Sequence, residues 1–307
     1  MKTPESLLEA TRMFDSVDKA HDYLTKLRWS DGVIGCPGCG CSENYYLATQ
    51  KRWKCKGCSK QFSVKVGTIF ESSPIGLDKW LIALWLIVNA KNGISSCELS
   101  RALKVTQKTA WFMNHRIRLA LENGTIETLK GTVGADESYI GGKASNMHYV
   151  ERMARNERYG SRGSAGKAVV FGMLERGGKV EAKVIDRADQ KSATKNILKS
   201  VDGHAKLFTD DHGSYQQMGF YYAHSIIHHA TEYVRDNVHT NGIENFWSLL
   251  KRGLKGTYIS AEPYHLQRYV VEQVFRFNHR KENDGGRFVK ALNQIAGCRL
   301  TYNELTG

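Results

Sequence analysis

Two periods of apolar residues divide the chain. Over the first thirty residues Leu7, Leu8, Met13, Phe14, Tyr23, Leu24 and Leu27 recur at roughly helical spacing, and Ser16 or Asp18 can cap a second helix. Residues 77–88 are strongly apolar and read as a buried helix. Behind them, Ser95 or Ser96 caps a helix through Leu103, and Thr106 caps another through Leu121. From residue 131 the period shortens towards that of strands. Residues 132–140, 168–175 and 179–185 read as strands, the last two joined by the hairpin turn Arg176-Gly177-Gly178. A helix over 191–201, short strands at 206–209 and 225–228, and helices over 239–252 and 263–278 follow. That order predicts an α/β domain with a mixed sheet. The Gly- and Arg-rich insert 141–166 is expected to be mobile.

Between the two regimes, residues 35–62 read GCPGCGCSENYYLATQKRWKCKGCSKQF. Cys36 and Cys39 form one CxxC pair and Cys55 and Cys58 another, with fifteen residues between the pairs. Four thiolates so spaced suit a closed, tetrahedral structural zinc site. Short strands at 45–48, 52–54 and 61–64 would make a zinc ribbon, the metal replacing a core too small to fold alone. Redox chemistry is the alternative for a CxxC pair, and two pairs at this spacing argue against it. Cys41 stands beside the set, and Cys97 and Cys298 read as small buried residues.

Charge then narrows the class of partner. Lysine and arginine number 44 against 31 acids, a net charge of +13 spread along 307 residues, which favours a polyanion such as nucleic acid. The first sixteen residues lack the apolar core of a signal peptide, and the most apolar run, 80–88, is too short to span a membrane. With two CxxC pairs pointing to metal, a reducing, cytoplasmic and nucleoid-associated protein without a membrane partner is expected. The helix pair over 95–121 resembles a helix-turn-helix whose second helix carries Gln107, Lys108, His115, Arg116 and Arg118 towards bases and phosphates; a plain helical hairpin is the alternative.

Three acids carry the candidate chemistry. Asp136 lies within a strand, Asp210 follows the apolar strand KLFT, and Glu244 sits on the helix HTNGIENFWSLLKR with Lys251 seven residues on, along the same face. Singly, each acid reads as a cap, a turn or a surface charge. Together, from three elements, they are hard oxygen ligands for Mg²⁺ or Mn²⁺, and such ions support phosphodiester displacement.

The segments CPGC…KCKGC, GTIFESSPIGLDKWLIALWL, SCELSRALKVTQKTAWFMNHRIR, GADESYIGGK, FTDDHGSY and HTNGIENFWSLLKRGLKGTY, with FRFNHR behind, cover roughly residues 20–282. Over them the chain resembles insertion-sequence DDE transposases of the zinc-ribbon-bearing ISXO-type family. The resemblance implies a ribonuclease-H-like domain that cuts transposon ends and joins the 3′-hydroxyl to target DNA. It maps the catalytic residues onto Asp136, Asp210, Glu244 and Lys251, the lysine holding a DNA phosphate, and Arg252 beside it is a further DNA-binding candidate. It also implies double-stranded DNA as partner and a homo-oligomer that holds two ends. The expected plan is a helical lead-in (1–30), a zinc ribbon (31–70), a helix-turn-helix-like module (71–128), the catalytic domain (129–282) and a carboxyl-terminal tail (283–307). A nuclease that cuts without joining, or a zinc-ribbon DNA-binding protein with an inert catalytic domain, are the rival readings.

Overall fold

A computed structural model describes residues 2–122, 128–161, 163–227 and 241–307. The chain forms two compact units, Met1–Gly124 with His279–Gly307, and Thr125–Asn278.

The first unit begins with helices α1 (Leu7–Met13) and α2 (Val17–Arg28), where Ser6 and Ser16 accept the N–H groups of Glu9 and Lys19. The ribbon follows as an antiparallel sheet of β1 (Asn44–Leu47), β2 (Arg52–Cys55) and β3 (Gln61–Phe62). Trp53 of β2 is its apolar centre, with its ring centroid 5.8 Å from Phe62 and 5.6 Å from His21 of α2. Helix α3 (Leu77–Asn89) buries Trp80, Leu81, Leu84, Trp85 and Val88. Helices α4 (Ser96–Leu103) and α5 (Gln107–Glu122) start at the expected caps, Ser95 Oγ accepting from Glu98 N–H at 3.1 Å and Thr106 Oγ1 from Thr109 N–H at 3.2 Å.

The second unit is built on a five-stranded sheet. Its elements are β4 (Thr132–Ile140), α6 (Tyr149–Tyr159), β5 (Ala168–Glu175), β6 (Val180–Ile185), α7 (Gln190–Ser200), β7 (Lys206–Asp210), β8 (Ala223–Ile227), α8 (Asn241–Arg252) and α9 (Leu266–Asn278). Strand order is β6-β5-β4-β7-β8. The β5–β6 hairpin runs antiparallel to β4, whereas β7 and β8 run parallel to it. This is the ribonuclease-H-like arrangement. Alternation along the strands gives each face its own core. Val133, Ala135, Phe171, Met173 and Leu207 pack with Ala193 and Ile197 of α7. Val170, Leu174 and Val180 pack with Ile243, Phe246, Trp247 and Leu250 of α8 and with Leu266, Val270 and Phe277 of α9.

Two segments differ from expectation. The insert after β4 carries α6, a helix with no buried residue, tied to its own loop where Arg155 donates to the Ala165 carbonyl. Residues 283–307 are not a tail. They supply α10 (Asp284–Leu292) and α11 (Tyr302–Thr306) to the first unit, with Phe288 fully buried against Phe14 and Trp85. Gly285 permits this contact, since a Cβ there would lie 2.6 Å from the Pro4 carbonyl oxygen. Backbone bonds from Ile69 to Ile295 and from Gly297 to Gly67 complete the junction.

Candidate active site

Asp136 lies at the middle of β4, the central strand. Parallel pairing joins Thr132 to Lys206 and Gly134 to Phe208. The pairing stops there, two residues short of Asp136 on β4 and of Asp210 at the end of β7. Val133, Ala135 and Leu207 belong to the α7 core, so strand alternation turns Asp136 and Asp210 towards the α8 face. Glu244 stands in the first turn of α8, whose buried stripe is Ile243, Phe246, Trp247 and Leu250, and is itself exposed. An acid in the first turn and Lys251 and Arg252 in the last both suit the helix dipole.

The three acids interact. Burial pushes the Asp136 carboxyl above its ordinary range, and the charges of Asp210 and Glu244 add to the rise. Two donors oppose it: Trp247 Nε1 donates to Asp136 Oδ2 at 2.9 Å, and the Glu137 N–H to Oδ1 at 2.8 Å. The Trp247 bond fixes α8 to the sheet, and Gly172 makes room for it. Gly172 faces Asp136 across the β4–β5 register, and a Cβ there would meet the indole at 2.6 Å. Trp247 therefore does more than pack. Its apolar spacing predicts burial, but nothing in the spacing points its N–H at an aspartate.

The neighbouring acids are set apart. Glu137 turns to the α7 face, where Ser214 Oγ donates to its Oε1 at 3.2 Å and burial raises its carboxyl, with the Asp136 and Asp210 charges adding. Asp211 is exposed.

Asp136, Asp210 and Glu244 offer hard oxygen donors, and each Asp136 oxygen retains a lone pair beyond the N–H it accepts. The mutual repulsion that raises Asp136 is what a divalent cation relieves. They are not yet a closed ligand set. Among the described residues, only Cys36, Cys39, Cys55 and Cys58 form a group whose ligand atoms all lie within 4.8 Å of one another.

That thiol group fits zinc. Cys36 Sγ lies 3.8 Å from Cys58 Sγ and Cys39 Sγ 3.5 Å from Cys55 Sγ, near the ~3.8 Å edge of a tetrahedron with Zn–S bonds of ~2.3 Å. Burial raises the Cys36 thiol, but the N–H groups of Gly38 and Cys39 and the neighbouring thiols hold it down at about 7, whereas Cys39, despite the N–H of Cys41, is pushed up to about 12 by the thiols around it. Cys41 lies outside the set. Cys298 is buried as expected, whereas Cys97 is exposed.

The expected DNA-reading helix divides. Gln107 and Lys108 at the start of α5 are exposed, Gln107 Nε2 donating to Ser96 Oγ and Lys108 lying over the Tyr302 ring. His115, Arg116 and Arg118 are buried at 0%, 3% and 1% exposure and do not present to DNA. Arg116 donates to the Glu71 carbonyl and lies over the rings of Trp80 and Phe112. Burial pulls its guanidinium down to about 10.

Further along, Arg276 is an internal partner of Glu272 and Gln273. Asn278 grips the backbone of Val180, accepting its N–H at 2.7 Å and donating to its carbonyl at 2.9 Å. Gln267 accepts the N–H of Val184 at 2.8 Å, so α9 covers the outer edge of β6. His224 lies 2.9 Å from Thr209 Oγ1, and His228, His229 and His239 lie outside the described residues. Among the described residues, no helix is long and apolar enough to cross a membrane.

Comparison with known proteins agrees with this architecture. Residues 128–278 match the ISXO2-like transposase domain, and residues 16–61 match the transposase zinc-ribbon domain. Over 254 residues the chain is 26% identical to a Halobacterium salinarum protein described as an uncharacterized protein in transposable element ISH50, covering 79% of this chain and 85% of that protein. The crystal structure of the Mos1 strand transfer complex aligns over 67% of this chain and 78% of that one, at 10% identity and a TM-score of 0.22, too loosely to add to the strand order. With a transposase zinc ribbon ahead of an ISXO2-like transposase domain on a ribonuclease-H-like sheet, the chain belongs to the ISXO-type insertion-sequence transposases.

Proposed function

We propose that the protein cuts the ends of its insertion sequence and joins the freed 3′-hydroxyl to target DNA. The observation that carries this reading is the convergence of charge on one buried carboxyl: Asp210, at the end of the strand parallel to β4, and Glu244, in the first turn of α8, both act on Asp136. In the first step a water oxygen bonds to the scissile phosphorus, and the 3′-oxygen leaves with a proton. In the second that 3′-oxygen bonds to a target phosphorus and displaces the target's own 3′-oxygen, with no covalent protein intermediate.

Asp136, Asp210 and Glu244 would hold Mg²⁺ or Mn²⁺, which supplies activation of the attacking oxygen and neutralisation of the leaving one. Trp247 orients the Asp136 carboxylate, and Lys251, on the row of α8 that carries Glu244, neutralises a phosphate of the bound strand. The ribbon and the exposed start of α5, with Gln107 and Lys108, bind the double-stranded end, and Arg252 adds a phosphate contact. Holding two ends requires at least two copies of the chain.

The test is product analysis with a labelled cognate end, plasmid target and Mg²⁺ or Mn²⁺. Cut ends and joined products are expected from the wild type, and neither from Glu244→Gln. Cut ends without joining would make the protein a nuclease. Binding with neither product would make the catalytic unit inert.

A further inference from the structure

Beside the acid cluster, the end of β4 and the turn after α8 enclose a cavity of about 370 Å³ into which four lysines converge: Lys143, Lys167, Lys251 and Lys255. We infer that this cavity seats the phosphodiester backbone of the DNA strand presented to the acid cluster, with Lys143, Lys167 and Lys255 holding it alongside Lys251. The inference rests on the DNA reading above and extends it to residues and a surface that the reading does not use.

The lysines come from separate segments. Lys143 follows β4, Lys167 precedes β5, Lys251 lies in the last turn of α8 and Lys255 in the π-helical turn Gly253–Tyr258 beyond it. Among the described residues no acid lines the cavity, and no carboxylate forms an ion pair with any of the four ammonium groups. Like charges gathered in one concavity repel unless a polyanion lies among them. Sugar-phosphate backbone is the polyanion that suits four flexible point charges, since lysine neutralises phosphate without demanding a fixed fork of donors.

Backbone geometry points to the same place. The turn carrying Lys255 departs from α-helical winding, a feature frequent at functional sites. It ends at Ile259, a β-branched residue held at φ 64° and ψ −55° and 83% exposed on the cavity wall. Such strain at an exposed residue brings no packing gain, and strained backbone clusters at ligand clamps. Gly142 also lines the cavity, and a Cβ there would meet no protein atom within 4 Å, so the cavity is open at this point.

The cavity also adjoins the acids. Tyr139 lines it, and burial, followed by the charges of Glu137, Asp210 and Asp136, raises the Tyr139 hydroxyl. Tyr139 and Ile140 stand three and four residues past Asp136 on β4, so a strand seated on the lysines passes close to the end of the strand that carries the Asp136 carboxylate.

The test compares DNA binding by the full chain across a salt series without divalent cation, so that catalysis plays no part. The probe is a duplex of arbitrary sequence. One variant is the triple substitution Lys143→Gln, Lys167→Gln, Lys255→Gln. The control is Lys191→Gln, Lys195→Gln, Lys199→Gln on α7, which covers the other sheet face and loses the same charge. Each phosphate contact contributes about 0.9 to the slope of log affinity against log salt. The cavity variant is expected to lose about 2–3 from that slope and to bind at least tenfold more weakly than the control, with an unchanged melting temperature.

Equal slopes for cavity variant and control, with wild-type binding intact, would overturn this inference alone. Absence of salt-dependent binding by the wild type would overturn the DNA reading with it. Inorganic phosphate replacing chloride at matched ionic strength should not displace the duplex. Displacement that the cavity variant abolishes would assign the lysines to a small free anion and not to DNA.

Discussion

Asp136 depends on Trp247 for more than packing. An N–H donated to the charged carboxylate holds down a group that burial and two neighbouring acids push up. Trp247→Phe keeps most of the ring's packing and removes the donor. Activity is expected to fall about tenfold, as for other residues that orient a metal-binding carboxylate. Removing a bond to the charged form raises the Asp136 pKa further, so the acid limb of the pH–rate profile should move to higher pH. A lower melting temperature with an unmoved acid limb would reduce Trp247 to packing. The sequence could show the candidate acids because acid-bearing strands and a helix with Glu and Lys seven apart are patterns of residue type. It could not show the Trp247 bond, which depends on where one edge of a ring points. His115, Arg116 and Arg118 failed for a related reason. Charge on a helix reads as solvated, and their burial depends on contacts of α5 with residues far off in sequence, as between Phe112 and Tyr302 and between Arg116 and Glu71.

Among the elements, the ribbon and the sheet were the most legible. Four cysteines at fixed spacing and strands of alternating pattern are local signals, and β5, β6 and β7 lie within a residue of their expected bounds. What was not legible is partnership between elements. The FRFNHR motif reads as basic, yet Arg276 and Asn278 are spent inside the unit, on Glu272 and on the edge of β6. The ribbon's dependence on metal is open to test. Its apolar centre is little more than Trp53 with Phe62, Trp29 and His21, too small to hold the hairpins alone. The purified chain should carry about one zinc. Cys58→Ser, or chelation, should release it and shift tryptophan emission to longer wavelength as Trp53 meets water. A zinc-free chain with unchanged emission would contradict the assignment.

Across the whole molecule, the first unit is discontinuous in sequence, opened by α1 and closed by α10 and α11, with the transposase domain inserted between. A reading that moves along the chain puts a boundary where composition changes and has no means of seeing that Phe288 returns to Phe14. The excess of positive charge, by contrast, is legible at this scale, and the lysine cavity beside the acids gives that excess a local form. The central claim concerns the face of the sheet on which chemistry occurs. Asp136 and Glu137 are adjacent in sequence, both are raised by burial, and they point to opposite faces. The most direct measurement is therefore Mn²⁺-dependent joining of a cognate end by Asp136→Asn and Glu137→Gln beside the wild type, with melting temperatures to confirm folding. Loss of joining in folded Asp136→Asn, with Glu137→Gln keeping a tenth or more of the wild-type rate, is the result this account predicts. Joining retained by Asp136→Asn, or lost only in a folded Glu137→Gln, would contradict it.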